Sequence, residues 1–192
     1  MGSFVEELVG TFGGEVTEQL SSKLGIDKNT ATKILPQVAP LILGGMKRQM
    51  QTRGGADRVN HILNKYGNDG VLNDIGGLFS QKAKESKPDP GLGGLLGDSG
   101  VQAANLLTRQ FNLSGSTAMK IIPMLAPVVL GALTRKRDSG GAGVSGIAAL
   151  IDQDGDGNIL DDVAGFLMGG GAGGRGGSGM LGNLLGSLLG RK

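Results

Sequence analysis

The chain has 192 residues, among them 38 glycines, one histidine and no cysteine or tryptophan, and its formal charge at pH 7 is +2. The lack of cysteine excludes disulfides, thiol catalysis and zinc-thiolate sites, and one histidine cannot build a histidine metal cluster. So even a charge balance supplies no strong field for nucleic acid or an anionic membrane. Aromatic residues are only 3% of the chain, so its core must rest on Leu, Ile, Val, Met and Ala with close backbone approach, which suits helix packing. No basic segment followed by an apolar run opens the sequence, and Glu6 stands where myristoylation favours Ser or Thr, so a cytoplasmic location is expected.

From the N-terminus, Phe4, Val5, Leu8, Val9 and Phe12, then Val16, Leu20 and Leu24, fall at helical spacing. They predict two short helices, 4–12 and 14–24, separated by Gly13-Gly14. Gly25 fits a helix C-cap, and Asp27 or Asn29 the N-cap of a helix starting near residues 28–30. That helix carries the sequence TATKILPQVAPLILGGMKR, residues 30–48, which recurs as TAMKIIPMLAPVVLGALTR, residues 117–135. Shifting the chain by 87 residues aligns 20–49 with 107–136, with 11 of 30 positions identical. Most other pairs exchange one apolar residue for another, so the repeat preserves a buried face rather than a reactive group. In the second copy Ser114 or Ser116 takes the capping role.

Pro36, Pro40, Pro123 and Pro127 lie inside the repeated helices, where each removes a backbone hydrogen bond and favours a kink or a break. The apolar runs 34–46 and 121–133 are 13 residues each, short of the roughly 20 a membrane span needs. They read as bent, buried core helices. Further amphipathic helices are expected at 56–66, 71–84, 99–111, 144–151 and 160–168, with a charged, proline-terminated linker at 82–90. The expected architecture is all-α: helical repeats at 1–86 and 87–168, a glycine-rich tether at 169–179 and an apolar tail helix at 180–192. In that tail Leu181, Leu184, Leu185, Leu188 and Leu189 form one stripe. An apolar peptide on a flexible leash should dock on its own body, on a neighbouring copy or on a membrane surface.

One constellation carries inorganic chemistry. In DQDGDGNILDD, residues 152–162, Asp152, Asp154 and Asp156 deliver alternate carboxylates to one point, Gly157 permits a sharp turn and Asn158 offers its carbonyl. This is how a calcium loop is built, and calcium is the expected cofactor. Val163 occupies the twelfth position, where a bidentate glutamate would close the shell, so closure falls to Asp161 or Asp162. The competing reading is a solvated turn that caps the helix from Leu160.

The segment 20–35 has the outline of a helix-turn-helix, with Lys28, Asn29, Thr32 and Lys33 able to reach a groove of DNA. Near-neutral charge argues against nucleic acid, since phosphate affinity needs more cations than this face offers. The basic pairs and triplets at 47–48 and 135–137 read as solvated helix ends favoured by the helix dipole. His61 reads as a helix-surface residue and Tyr66 as a helix-end packing residue. No nucleophile, base and orienter assemble, and no glycine run has the lysine of a phosphate loop, so neither an enzyme nor a small-molecule substrate is expected.

The repeated P-x-x-x-P helix with its following Leu-Gly, at residues 36–44 and 123–131, together with D-x-D-G-D-G-x-x-x-D-D near the end, resembles the bacterial domain of unknown function 937, the YidB-like proteins. The resemblance spans roughly residues 4–168 and leaves the tether and tail outside. It implies a helical fold and no agreed activity. The expected function is therefore a non-enzymatic, self-associating assembly protein forming a homo-oligomer or filament, with a calcium loop in its second repeat and a tail that docks on a neighbouring copy. The alternatives are a helix-turn-helix regulator and a protein attached to a membrane surface through its tail.

Overall fold

A computed structural model describes residues 4–85 and 98–139, with positions 143, 146, 147 and 151. Among the described residues every regular element is a helix. In chain order these are α1 (Phe4–Leu24), α2 (Lys28–Thr52), α3 (Gly55–Tyr66), a 3-10 helix (Asp69–Asn73), α4 (Ile75–Lys84), α5 (Asp98–Phe111) and α6 (Gly115–Ser139). The acidic loop, the tether, the tail and the expected helix 160–168 lie outside the described residues.

The break expected at Gly13-Gly14 does not occur, and α1 runs unbroken for 21 residues. Phe4, Leu8, Val16 and Leu20 are buried, with Phe12 packed against the core between them, so one stripe at four-residue spacing crosses the glycines. Interrupting the helix would expose that stripe, which outweighs the roughly 1 kcal/mol per glycine of lost helix propensity. The Thr17 hydroxyl also donates to the Gly13 carbonyl at 2.6 Å. Conversely, the helix expected at 71–84 is divided. Asp74 ends the 3-10 helix and caps α4 by accepting from the Gly77 amide at 2.7 Å. Residues 82–84 of the expected linker belong to α4, and its residues 86–90 lie outside the described residues.

The central helices α2 and α6 begin and end 87 positions apart, Lys28 with Gly115 and Thr52 with Ser139, and α1 and α5 end at Leu24 and Phe111 with the same offset. The turns between them repeat the same chemistry. Gly25 (φ +66°) and Asn112 (φ +52°) each take the left-handed conformation that ends a helix. Asp27 accepts from the Thr30 amide at 2.9 Å, and Ser114 from the Thr117 amide at 3.2 Å. Of the alternatives left by the sequence, Asp27 and Ser114 are the caps.

Both central helices pass through their prolines without a break. In α2 one face is buried, through Ala31, Ile34, Leu35, Val38, Ala39 and Ile42. In α6 burial is nearly complete from Ile121 to Thr134, Pro123 excepted. By length and composition α6 could cross a membrane, but 78% of its most apolar stretch is covered by the rest of the fold. It packs against α1, α2, α3, α4, α5 and the 3-10 helix, and the buried apolar residues of both copies form one core. Leaving a helical path at a proline would strip this apolar surface of its partners, at a cost that exceeds the hydrogen bonds the prolines lack.

Backbones meet where the 3-10 helix crosses α6. A Cβ added at Gly131 would stand 2.9 Å from the Asn68 carbonyl oxygen and 3.2 Å from Val71 Cγ2. One added at Gly67 would lie within 2.9 Å of both the Leu63 and Leu130 carbonyl oxygens. Gly131→Ala should therefore cost about 1–3 kcal/mol by overpacking, whereas Gly10→Ala, with open space around it, should gain about 0.5–1 kcal/mol of helix stability. Urea denaturation of both variants checks this. The hydrogen bond from Thr30 holds the Asp27 carboxyl below its ordinary 3.8. A depressed carboxyl contributes stability above its unfolded pKa and loses it as pH falls through the folded value. Asp27→Ala should thus destabilise near neutrality and make little difference in strong acid, as thermal melts across that range would measure.

Candidate functional site: a groove between two helices

An open cleft lies between the first half of α1 and the end of α6. On α1 its wall is Phe4, Glu7, Leu8, Thr11 and Phe12, one helical stripe; on α6 it is Ala132, Arg135, Lys136 and Ser139, another. Between them is a cleft of about 480 Å³. Phe4 and Leu8 are buried and Phe12 half-buried, while Thr11 and Ser139 are exposed at the rim. The floor is apolar and the rim polar, with Glu7 paired to Lys136 across it. Two helical stripes thus face one another across the cleft.

The basic triplet at the end of α6 lends Arg135 and Lys136 to that cleft. It does not behave as a solvated helix end. Arg135 reaches the 3-10 helix, donating to the Asp69 carbonyl at 3.4 Å and Asn73 Oδ1 at 3.3 Å. Lys136 bridges to Glu7 of α1, and Arg137 Nη1 donates to Asn60 Oδ1 and Asn64 Oδ1 of α3, both at 2.8 Å. Three successive residues at about 100° intervals thus fasten one helix end to three different elements. Arg137 also donates to Asp138 at 2.6 Å, which raises the guanidinium pKa above its ordinary value and lowers that of the carboxyl. The pair at 47–48 is divided as well: Arg48 is exposed, but Lys47 is only 2% exposed. The body of α2 is buried as far as Gln49, whose amide oxygen accepts from Arg58 Nε at 3.2 Å.

Lys28, Asn29, Thr32 and Lys33 are all exposed on the first turns of α2. The Thr32 hydroxyl is turned back onto the Lys28 carbonyl at 2.8 Å. The positions 87 residues on are Gly115, Ser116, Met119 and Lys120, so the second corner offers one cation beside an exposed methionine. His61 is exposed and Tyr66 half-buried, with Lys65 Nζ 5.1 Å from its ring centre. The expected calcium ligands Asp152, Asp154, Asp156, Asn158, Asp161 and Asp162 lie outside the described residues, as do Leu181, Leu184, Leu185, Leu188 and Leu189. Among the described residues no three His, Cys, Asp or Glu side chains stand together as a metal site. Sequence reading missed the groove. Its only trace there is the spacing 4, 8, 12 on one side and 132, 135, 136, 139 on the other, which says nothing about the two stripes meeting.

The described residues define an all-α protein built on two proline-bearing central helices, with an open cleft between α1 and the end of α6. The chain belongs to the bacterial protein family of unknown function DUF937, which matches residues 6–137 and 135–191. That span reaches through the glycine tether and nearly to the end of the tail, so both lie inside the family's extent and not outside it, as the resemblance over 4–168 had them. No curated protein and no solved structure matches the chain.

Arg137→Met removes the two amide contacts to α3 while keeping the stem of the side chain. It should lower stability by about 1 kcal/mol, less than a fully buried charged network would lose because the site is partly solvated. Denaturant titration measures the loss.

Proposed function

We propose that this is a non-enzymatic, self-associating assembly protein whose leucine-rich tail docks on a neighbouring copy and whose Asp-rich loop holds calcium. The single observation that carries the reading is the open cleft beside α1, with an apolar floor, in a chain that also carries an apolar stripe on a glycine tether. Two unlike surfaces of this kind join copies head to tail, and a head-to-tail contact that does not close on itself extends into a filament or large oligomer. The loop's three alternating aspartates supply hard oxygen ligands of the type calcium takes. A cytoplasmic home fits the absence of cysteine and needs no signal.

Light scattering after size-exclusion chromatography tests the assembly. The full-length chain should form species that grow with concentration, while a variant with Leu184→Glu and Leu188→Glu should remain monomeric. A strictly monomeric full-length chain at high concentration, with calcium or with chelator, removes the reading. Calcium at about 100 times its Kd should stabilise the fold by about 2.7 kcal/mol. Melting curves with Asp154→Asn and Asp156→Asn should lose that shift, and a shift that survives both substitutions would place the metal elsewhere.

A second reading, DNA binding, is favoured by the exposure of Lys28, Asn29, Thr32 and Lys33 on one helix start. It requires a salt-dependent gel shift abolished by Lys28→Glu and Lys33→Glu. Assembly through the tail instead leaves light scattering unchanged in that double variant.

A further inference from the structure

The tail has a sequence counterpart at the other end of the chain. Written beside the first turns of α1, FVEELVGTFGG, the tail reads MLGNLLGSLLG. Met180, Leu181, Leu184, Leu185 and Leu188 stand where Phe4, Val5, Leu8, Val9 and Phe12 stand in α1. Gly10 and Gly14 recur as Gly186 and Gly190, and Thr11 as Ser187. The tail thus carries the apolar register with which α1 joins the core. It departs at Glu6 and Glu7, which become Gly182 and Asn183, and at Gly13, which becomes Leu189.

We propose that residues 180–190 of a second copy fill the groove between α1 and α6, as an α1-like helix laid beside α1 against the end of α6. This rests on the self-association reading, which makes the donor another copy. Length, shape and charge each fit. The α1 wall from Phe4 to Phe12 rises about 12 Å at 1.5 Å per residue, and the tail's leucines from 181 to 189 cover the same rise. On a helix at about 100° per residue, the five leucines face one way and Asn183 and Ser187 the opposite way. The leucines therefore face Phe12, the half-buried apolar side chain of the α1 wall, and the stems of Arg135 and Lys136 on α6, while the polar pair stays at the open side. Gly182 borders the leucine face, whereas Gly186 and Gly190 turn toward the side away from it. Replacing the two glutamates of α1 by glycine and asparagine means that the docked helix brings no carboxylate beside Glu7. Its Arg191 and Lys192 add no acid to a rim already carrying the Glu7–Lys136 pair.

Full-length variants test the assignment. Thr11→Arg and Ser139→Arg each place a long side chain in the groove from an exposed position on opposite walls, and neither touches the buried core. Leu184→Glu with Leu185→Glu disables the tail. Each variant alone should be monomeric by light scattering with a helical circular dichroism spectrum like the wild type. Mixing a groove-blocked chain with a tail-disabled chain should give heterodimers and nothing larger, since only one productive contact remains. Wild-type assembly that persists in both groove variants sinks the groove assignment and leaves self-association standing. So does a mixture that stays monomeric. A wild-type chain that is monomeric removes self-association and, with it, the second copy as occupant. If its tail also becomes protease-sensitive on Thr11→Arg, the occupant is the chain's own tail and the second copy is overturned.

Discussion

The closest constraint in this fold is the contact between α6 and the strand of backbone that leaves α3. At Gly67 and Gly131 main chains approach so nearly that a single Cβ on either would collide with carbonyl oxygens. This fixes the depth at which α6 sits among the elements of the first copy, and the remaining helices pack around it. A close backbone contact also concentrates dispersion and apolar burial over small residues. That is why so glycine-rich and aromatic-poor a chain can still hold a well-covered core.

The prolines follow from that position. Inside an exposed helix, each would be expected to end it. In α6 the residues from Ile121 to Thr134 are covered nearly all round, so helical continuity is maintained by what surrounds the helix more than by its own hydrogen bonds. The same covering accounts for a helix apolar enough to span a membrane lying in the middle of a helical body. Its polar end, Arg135 to Arg137, emerges where α1, α3 and the 3-10 helix converge, and each cation finds a different neighbour. Between that end and α1 lies the groove, bounded by the ion pair of Lys136 with Glu7.

A cleft of this origin needs no separate machinery. It is the space left where two helices, each held by other contacts, diverge toward solvent. Its lining is what each helix presents at that height, apolar below and charged above. The likeness between α1 and the tail suits such a surface, because a helix that already packs beside α6 defines the pattern another must carry to join it.

Helical class, the two central helices, both corners and most of the core faces were legible in the sequence, since periodicity and capping chemistry are local: Asp27 and Ser114 act within three residues of themselves. The 87-residue offset recurs in both ends of α2 and α6 and in the ends of α1 and α5. Continuity of α1 across Gly13-Gly14, burial of Lys47 and the three partners of Arg135, Lys136 and Arg137 could not be read that way. Each depends on a surface supplied by residues far along the chain, 129 positions away in the case of Lys136 and Glu7. The groove belongs wholly to this second kind. Its walls are two ordinary helical stripes, and only the packing of α6 against the first copy brings them face to face.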